Sequence, residues 1–130
     1  MDIHPALDTN EDFLSFTITD TWEQTEAFWQ ELFDSQSCCS DPNHKDYTDY
    51  RPQLDEPSGL TMVKLVIRHL PFKSRTYKYL DLSDTTVKEA IQKVLKFYEN
   101  KTIRKNVGDH IFFEGFYVDK DAFLTISLGS

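Results

Sequence analysis

Five stretches of the chain alternate apolar and polar side chains with the two-residue period of a half-buried strand, and two repeat them at helical spacing. In 13–19, Leu14, Phe16 and Ile18 alternate with Phe13, Ser15, Thr17 and Thr19, which predicts a short strand. Residues 61–70 predict the strongest strand, with Val63, Leu65, Ile67 and His69 on one face. A Pro-containing turn over 71–75 leads into a returning strand at 76–82, so the two form an antiparallel hairpin. Residues 110–118 and 122–128 predict two further strands around the turn Asp119-Lys120-Asp121, with Leu124, Ile126 and Leu128 sharing a face.

The first helical pattern spans 20–33. Asp20 and Glu23 have capping-box spacing, Trp22, Thr25, Trp29, Leu32 and Phe33 make a stripe, and Phe28 widens it. Such a stripe is expected to dock on the protein's own sheet. The second helix is clearer. Thr86 and Glu89 have capping-box spacing, and Val87, Ala90, Ile91, Val94, Leu95 and Tyr98 recur at helical intervals. Asn100 is expected to end it, and Gly108 to end the short basic segment beyond. Residues 1–11 read as a flexible arm, and 34–60 as a long polar loop of the kind that is functional or a linker. The whole chain, 1–130, is expected to be one α+β domain with a mixed β-sheet: an N-terminal strand-helix extension at 12–33, then a β-β-α-β-β unit at 61–128.

That order, with a capped helix directly after the first hairpin, resembles the ubiquitin-like β-grasp superfamily. The resemblance is carried by residues 62–67, by 77–82 and by the run 82–91 that opens the helix, and it covers about half the chain. It implies a last strand lying beside the first and parallel to it. The chain departs from the family's modifiers by ending in Leu128-Gly129-Ser130 instead of a di-glycine, so conjugation is not implied. The superfamily hosts binding modules, adaptors and some enzymes, so the fold alone gives no activity. The run 108–115 also resembles small proteins of large DNA viruses, with no particular family behind it.

Charge adds an asymmetry. The net charge is −8, yet residues 1–60 carry 14 acidic and 2 basic side chains, whereas 61–130 carry 8 acidic and 12 basic ones. Such a division steers association without deciding the fold. The plainer expectation is that one half partly covers the other; the sharper one is a masked basic patch. An acidic chain is a poor general binder of nucleic acid. No apolar run approaches spanning length and no secretory leader is seen at the start, so an intracellular location, cytoplasmic or nuclear, and no membrane are expected. The adjacent Cys38 and Cys39 fit a reducing compartment.

Candidate chemistry is sparse. Cys38, Cys39, Asp41 and His44 lie within seven residues, but adjacent cysteines lack the spacing of a zinc knuckle, and the plainer reading is a polar loop with free thiols. Asp109, His110 and Glu114 offer an acid/base set for a small enzyme. The plainer reading is a turn and a surface carboxylate. His69 is expected as a buried, bonded histidine. The four glycines are scattered, so no phosphate-cradling loop and no cofactor is expected. Bases and aromatics interleave over 72–79, and Lys73, Arg75, Tyr77 and Lys78 are the expected contacts for a protein partner. The function expected is a non-enzymatic protein-interaction module or adaptor, within a larger complex. The alternative is an acidic decoy that mimics nucleic acid or blocks a basic site.

Overall fold

Alternation in β1 (Met62–Arg68) sends Val63 and Leu65 to one side, where both are fully buried, and Lys64 to the other. The computed structural model describes residues 3–34, 49–68 and 76–129. Among them it shows an α+β fold of three α-helices and one four-stranded mixed sheet. β2 (Thr76–Asp81) runs antiparallel to β1, from Met62 opposite Asp81 to Val66 opposite Tyr77. β3 (Phe112–Val118) and β4 (Leu124–Gly129) form the second antiparallel pair. β4 lies beside β1 and parallel to it, with Val63 opposite Leu124 and Lys64 opposite Thr125. The order across the sheet is β2-β1-β4-β3, so the most buried strands, β1 and β4, are central and β2 is an edge.

The helix between the hairpins, α2 (Val87–Phe97), covers the Val63/Leu65 face with Val87, Ala90, Ile91, Val94 and Leu95. Its start follows from local chemistry. The Thr86 hydroxyl accepts from the Glu89 amide at 3.2 Å, and the Glu89 carboxylate accepts from the Thr86 amide at 3.0 Å. The next free amides, Val87 and Lys88, donate to the carbonyls of Glu56 and Leu54, both at 2.9 Å. Every amide of the first turn is therefore used, and the helix start offers nothing to an anion. At the far end, buried Tyr98 donates its hydroxyl to the Val66 carbonyl at 2.8 Å, where the β1–β2 register slips. Burial pushes this phenol far above its ordinary value. Asn100 does more than stop α2: its side chain accepts from Thr102 and Ile103 and opens α3 (Lys101–Val107), which Gly108 ends at φ +64°.

The N-terminal third differs from the sequence reading. Residues 3–11 are not a loose arm. A 3-10 turn, Pro5–Leu7, buries Ala6 and Leu7, and His4 is held between the Ser58 carbonyl, Glu56 and the Ala6 amide. The amide of Thr9 donates to the Phe116 carbonyl at 3.1 Å, so this segment lies along β3. Residues 13–19 keep the expected alternation, with Leu14, Phe16 and Ile18 buried, but form only one bridge, Thr17 with Phe112. The reason is divided bonding: Leu14 donates to Ala6, whereas Phe16 and Ile18 bond to Phe113 and Ile111, so no continuous ladder forms.

The helix α1 (Trp22–Asp34) begins at Trp22, and its capping box is Thr21 with Gln24, not Asp20 with Glu23. The Asp20 amide already closes a turn onto the Thr17 carbonyl, which leaves Thr21 as the cap. Trp29 is buried and donates to the Ser15 carbonyl at 2.8 Å, so the helix docks on its own chain. Trp22 packs edge-on against Trp29, and Lys88 of α2 stands 5.9 Å over the Trp22 ring. Residues 49–60, expected inside a long loop, are packed: Tyr50, Ser58 and Leu60 are buried. No helix among the described residues is long and apolar enough to cross a membrane.

Candidate functional site

Opposite the helix-covered face, the sheet presents a cluster built around Lys64. β1 aims Lys64 outward, β4 brings Thr125 opposite it, and the β3–β4 turn supplies Asp119. The Lys64 ammonium lies 2.9 Å from one carboxylate oxygen of Asp119, which also accepts from the Thr125 hydroxyl at 3.0 Å. The other oxygen accepts from the amides of Asp121 and Phe123. The Lys64 hydrogen bond first, then these amides, hold the Asp119 carboxyl far below the usual range. Asp119 in turn raises Lys64.

Aromatic rings frame this ion pair. Lys64 stands 5.6 Å from the Tyr77 ring centre and 5.3 Å from that of Phe123, and Tyr79 meets Phe123 edge-on at 5.1 Å. Tyr79 is 57% exposed and Met62, two residues before Lys64 on the same face, is 42% exposed. A shallow cavity of about 190 Å³ lies between Met62 and Phe123. The patch combines apolar side chains with a fixed charge pair, which suits recognition of a surface more than turnover of a substrate. Nothing in the sequence marks it, because Lys64 and Asp119 are 55 positions apart and meet only through strand register.

Of the residues expected to bind a partner, the two described ones, Tyr77 and Lys78, lie on opposite faces of β2. Tyr77 is half-buried beside Lys64, opposite Val66, whereas Lys78 is opposite Leu65 and exposed on the helix-covered side. Successive residues of a strand point to opposite faces, so β2 separates them. Lys73 and Arg75 lie outside the described residues, as do His69, Cys38, Cys39, Asp41 and His44. Among the described residues, no group of His, Cys, Asp or Glu could hold a metal ion.

Of the acid/base set, Asp109 and His110 adjoin ahead of β3, and Glu114 stands within it. Asp109 is exposed in the turn before β3, its carboxylate 3.7 Å from the His110 ring. Glu114 lies within β3 and lines a groove whose other lining residues include neither Asp109 nor His110. Elsewhere, Arg51 binds both Asp34 and Asp49, each through two hydrogen bonds of 2.7–3.1 Å. The guanidinium holds both carboxyls below their ordinary range. One arginine thus ties the end of α1, at Asp34, to Asp49 beside it in the chain. Compared with models of protein families, with curated proteins and with solved structures, the chain matches none.

Proposed function

We propose that the protein is a non-enzymatic protein-interaction module of ubiquitin-like β-grasp type, working as an adaptor or subunit within a larger complex. The topology supports the fold reading: a hairpin, a capped helix, a second hairpin, and a last strand parallel to the first. The observation that carries the functional reading is the exposed Met62–Tyr79 patch set around the Lys64–Asp119 pair. Such a patch gives a partner apolar area to bury and a rigid polar centre to orient on. The edge strand β2 borders it and offers backbone groups for strand addition by the same partner.

The test is affinity capture from cell lysate with the intact chain, read by quantitative mass spectrometry, beside a Met62→Asp/Tyr79→Asp variant and a Lys96→Glu control. Neither patch side chain belongs to the buried core, so the melting temperature is expected to stay within a few degrees of the parent. A single stoichiometric protein partner is expected with the parent and the control and is expected to be lost with the patch variant. A partner retained by the patch variant moves the interface elsewhere. Absence of a stoichiometric partner from every bait overturns the module reading.

A further inference from the structure

The opposite edge of the molecule carries a second concavity. Between α1, the segment before it and β3 lies a groove of about 350 Å³. Phe16 and Phe113, stacked at 4.5 Å and buried, form its floor. Phe13, Phe28 and Phe112 form its rim, and Glu114 enters from β3. Phe28 is 43% and Phe112 48% exposed. Two large apolar side chains held in water around one cavity lose the free energy of burial that the rest of the core gains. Phe28 belongs to the apolar pattern of α1, yet the stripe that docks is Thr25 and Trp29, which leaves Phe28 turned to the groove.

Charge states what the groove fits. Residues 3–34, which supply most of its wall, contain eight acidic side chains and no Lys or Arg. Glu31 stands one helical turn beyond Phe28. Glu11 and Asp12 directly precede Phe13. Glu114 stands in the wall itself, and among the described residues no hydrogen bond or ion pair engages its carboxylate. An aromatic cavity with one carboxylate in its wall, and acidic residues adjoining its phenylalanines in the chain, favours cations, which gain both from carboxylates and from the faces of the rings.

Backbone bonding restricts the mode of recognition. The Ser15 carbonyl accepts from Trp29, the Phe16 carbonyl from Phe113, and the Glu114 and Phe116 carbonyls from Thr9. The wall therefore has few backbone groups to offer an added strand, and an occupant must be read by its side chains.

We infer that this groove is a docking site for a cationic peptide segment of another protein, which inserts one apolar or aromatic anchor between Phe13, Phe28 and Phe112 and sets flanking Lys or Arg against Glu114, Glu31 and Glu11. The site is separate from the Met62–Tyr79 face and shares no residue with it.

Three fluorescein-labelled synthetic peptides of about a dozen residues test it: a Lys-rich peptide with one central Phe, the same peptide with Glu for Lys, and the Lys peptide with Ser for Phe. Binding to the full chain is read by anisotropy and mapped by amide chemical shifts. The Lys/Phe peptide is expected to bind, to weaken with added salt, and to shift the amides of residues 13–17, 28 and 112–114. The Glu and Ser versions are expected to bind at least about tenfold more weakly. Phe28→Ala is expected to weaken the Lys/Phe peptide by about tenfold, and Glu114→Gln by about threefold. Melting curves accompany each variant, and the shift map of the parent locates the site without any variant. Lack of binding at about millimolar peptide, equal binding of the Glu peptide, or shifts confined to another surface overturns the inference. A dimer in sedimentation that Phe28→Ala dissolves assigns the groove to a second copy of the chain and overturns it equally.

Discussion

Lys64 and Asp119 show how a single pair can be built from distant parts of a chain. The carboxylate receives four donors, from Lys64, Thr125 and the amides of residues 121 and 123. Both partners are largely covered, at 14% and 16% side-chain exposure. Removing Lys64 takes away the largest single cause of the low Asp119 value. In the parent, the Asp119 carboxyl is expected to stay ionised well below about pH 4, where an ordinary aspartate protonates. In Lys64→Met its titration, followed by carboxyl carbon NMR, is expected to move upward while remaining below that of a free aspartate, because the amides stay. An unmoved titration would show that the amides alone hold the group. The sign for stability follows. A lowered carboxyl stabilises the fold above its unfolded value, and that share is lost as pH falls through the folded value. A raised ammonium stabilises below about pH 10 and loses its share as pH climbs beyond it. The pair therefore contributes a flat plateau across neutral pH, and Lys64→Met is expected to lower that plateau without bending it.

At the scale of elements, the strands and helices whose causes are local are legible in the sequence. Thr86 and Glu89 are three residues apart, and both capping bonds form where the spacing places them. Val63 and Leu65 alternate with Lys64, and burial follows that alternation. What eludes a linear reading is set by remote partners. Pro5, Ala6 and Leu7 show no period, and Ala6 and Leu7 are buried because β3 gives the segment an edge to lie on. That edge depends on Gly115, which interrupts the β3–β4 register at φ +92°. A Cβ there would stand 2.5 Å from the Thr9 amide nitrogen, a backbone atom with no rotamer to yield. Gly115→Ala is therefore expected to destabilise by about 1–3 kcal/mol from strain at positive φ, with added loss from displacing residues 8–9. Thermal melting reads the first effect, and faster hydrogen exchange at the Thr9 amide reads the second. An unchanged melting temperature would mean that the N-terminal segment lies on β3 without being tied to it.

For the whole molecule, the question is whether the four-stranded sheet with α2 is a domain to which residues 3–34 are appended. The buried core answers that it is not. Leu7, Leu14, Phe16, Ile18 and Trp29 belong to the same cluster as Val63, Leu65, Val94 and Ile126. Phe16 stacks on Phe113, which also meets Phe13 and Phe116, so one side of β3 has its apolar partners in the N-terminal segment. The sheet and α2 therefore share one core with residues 3–34. A fragment of residues 49–130 exposes Phe113 and Phe116 and leaves the outer bonds of β3 open, a combination that favours a collapsed, fluctuating state over a unique fold. The fragment is expected to keep helical circular dichroism while losing amide dispersion in its NMR spectrum. Adding a synthetic peptide of residues 1–34 in excess is expected to restore that dispersion, because the peptide brings back the missing part of the core, Leu7, Leu14, Phe16, Ile18 and Trp29 among it. A well-dispersed spectrum from the fragment alone would make the sheet and α2 an independent domain. The charge division would then follow the same boundary, with an acidic extension carried on a self-sufficient basic unit. With no such independence, the acidic and basic halves are two surfaces of one core, fixed relative to each other. The sheet face around Lys64 then lies within the basic half, and the phenylalanine groove spans both, with Phe13, Phe16 and Phe28 from one and Phe112, Phe113 and Glu114 from the other.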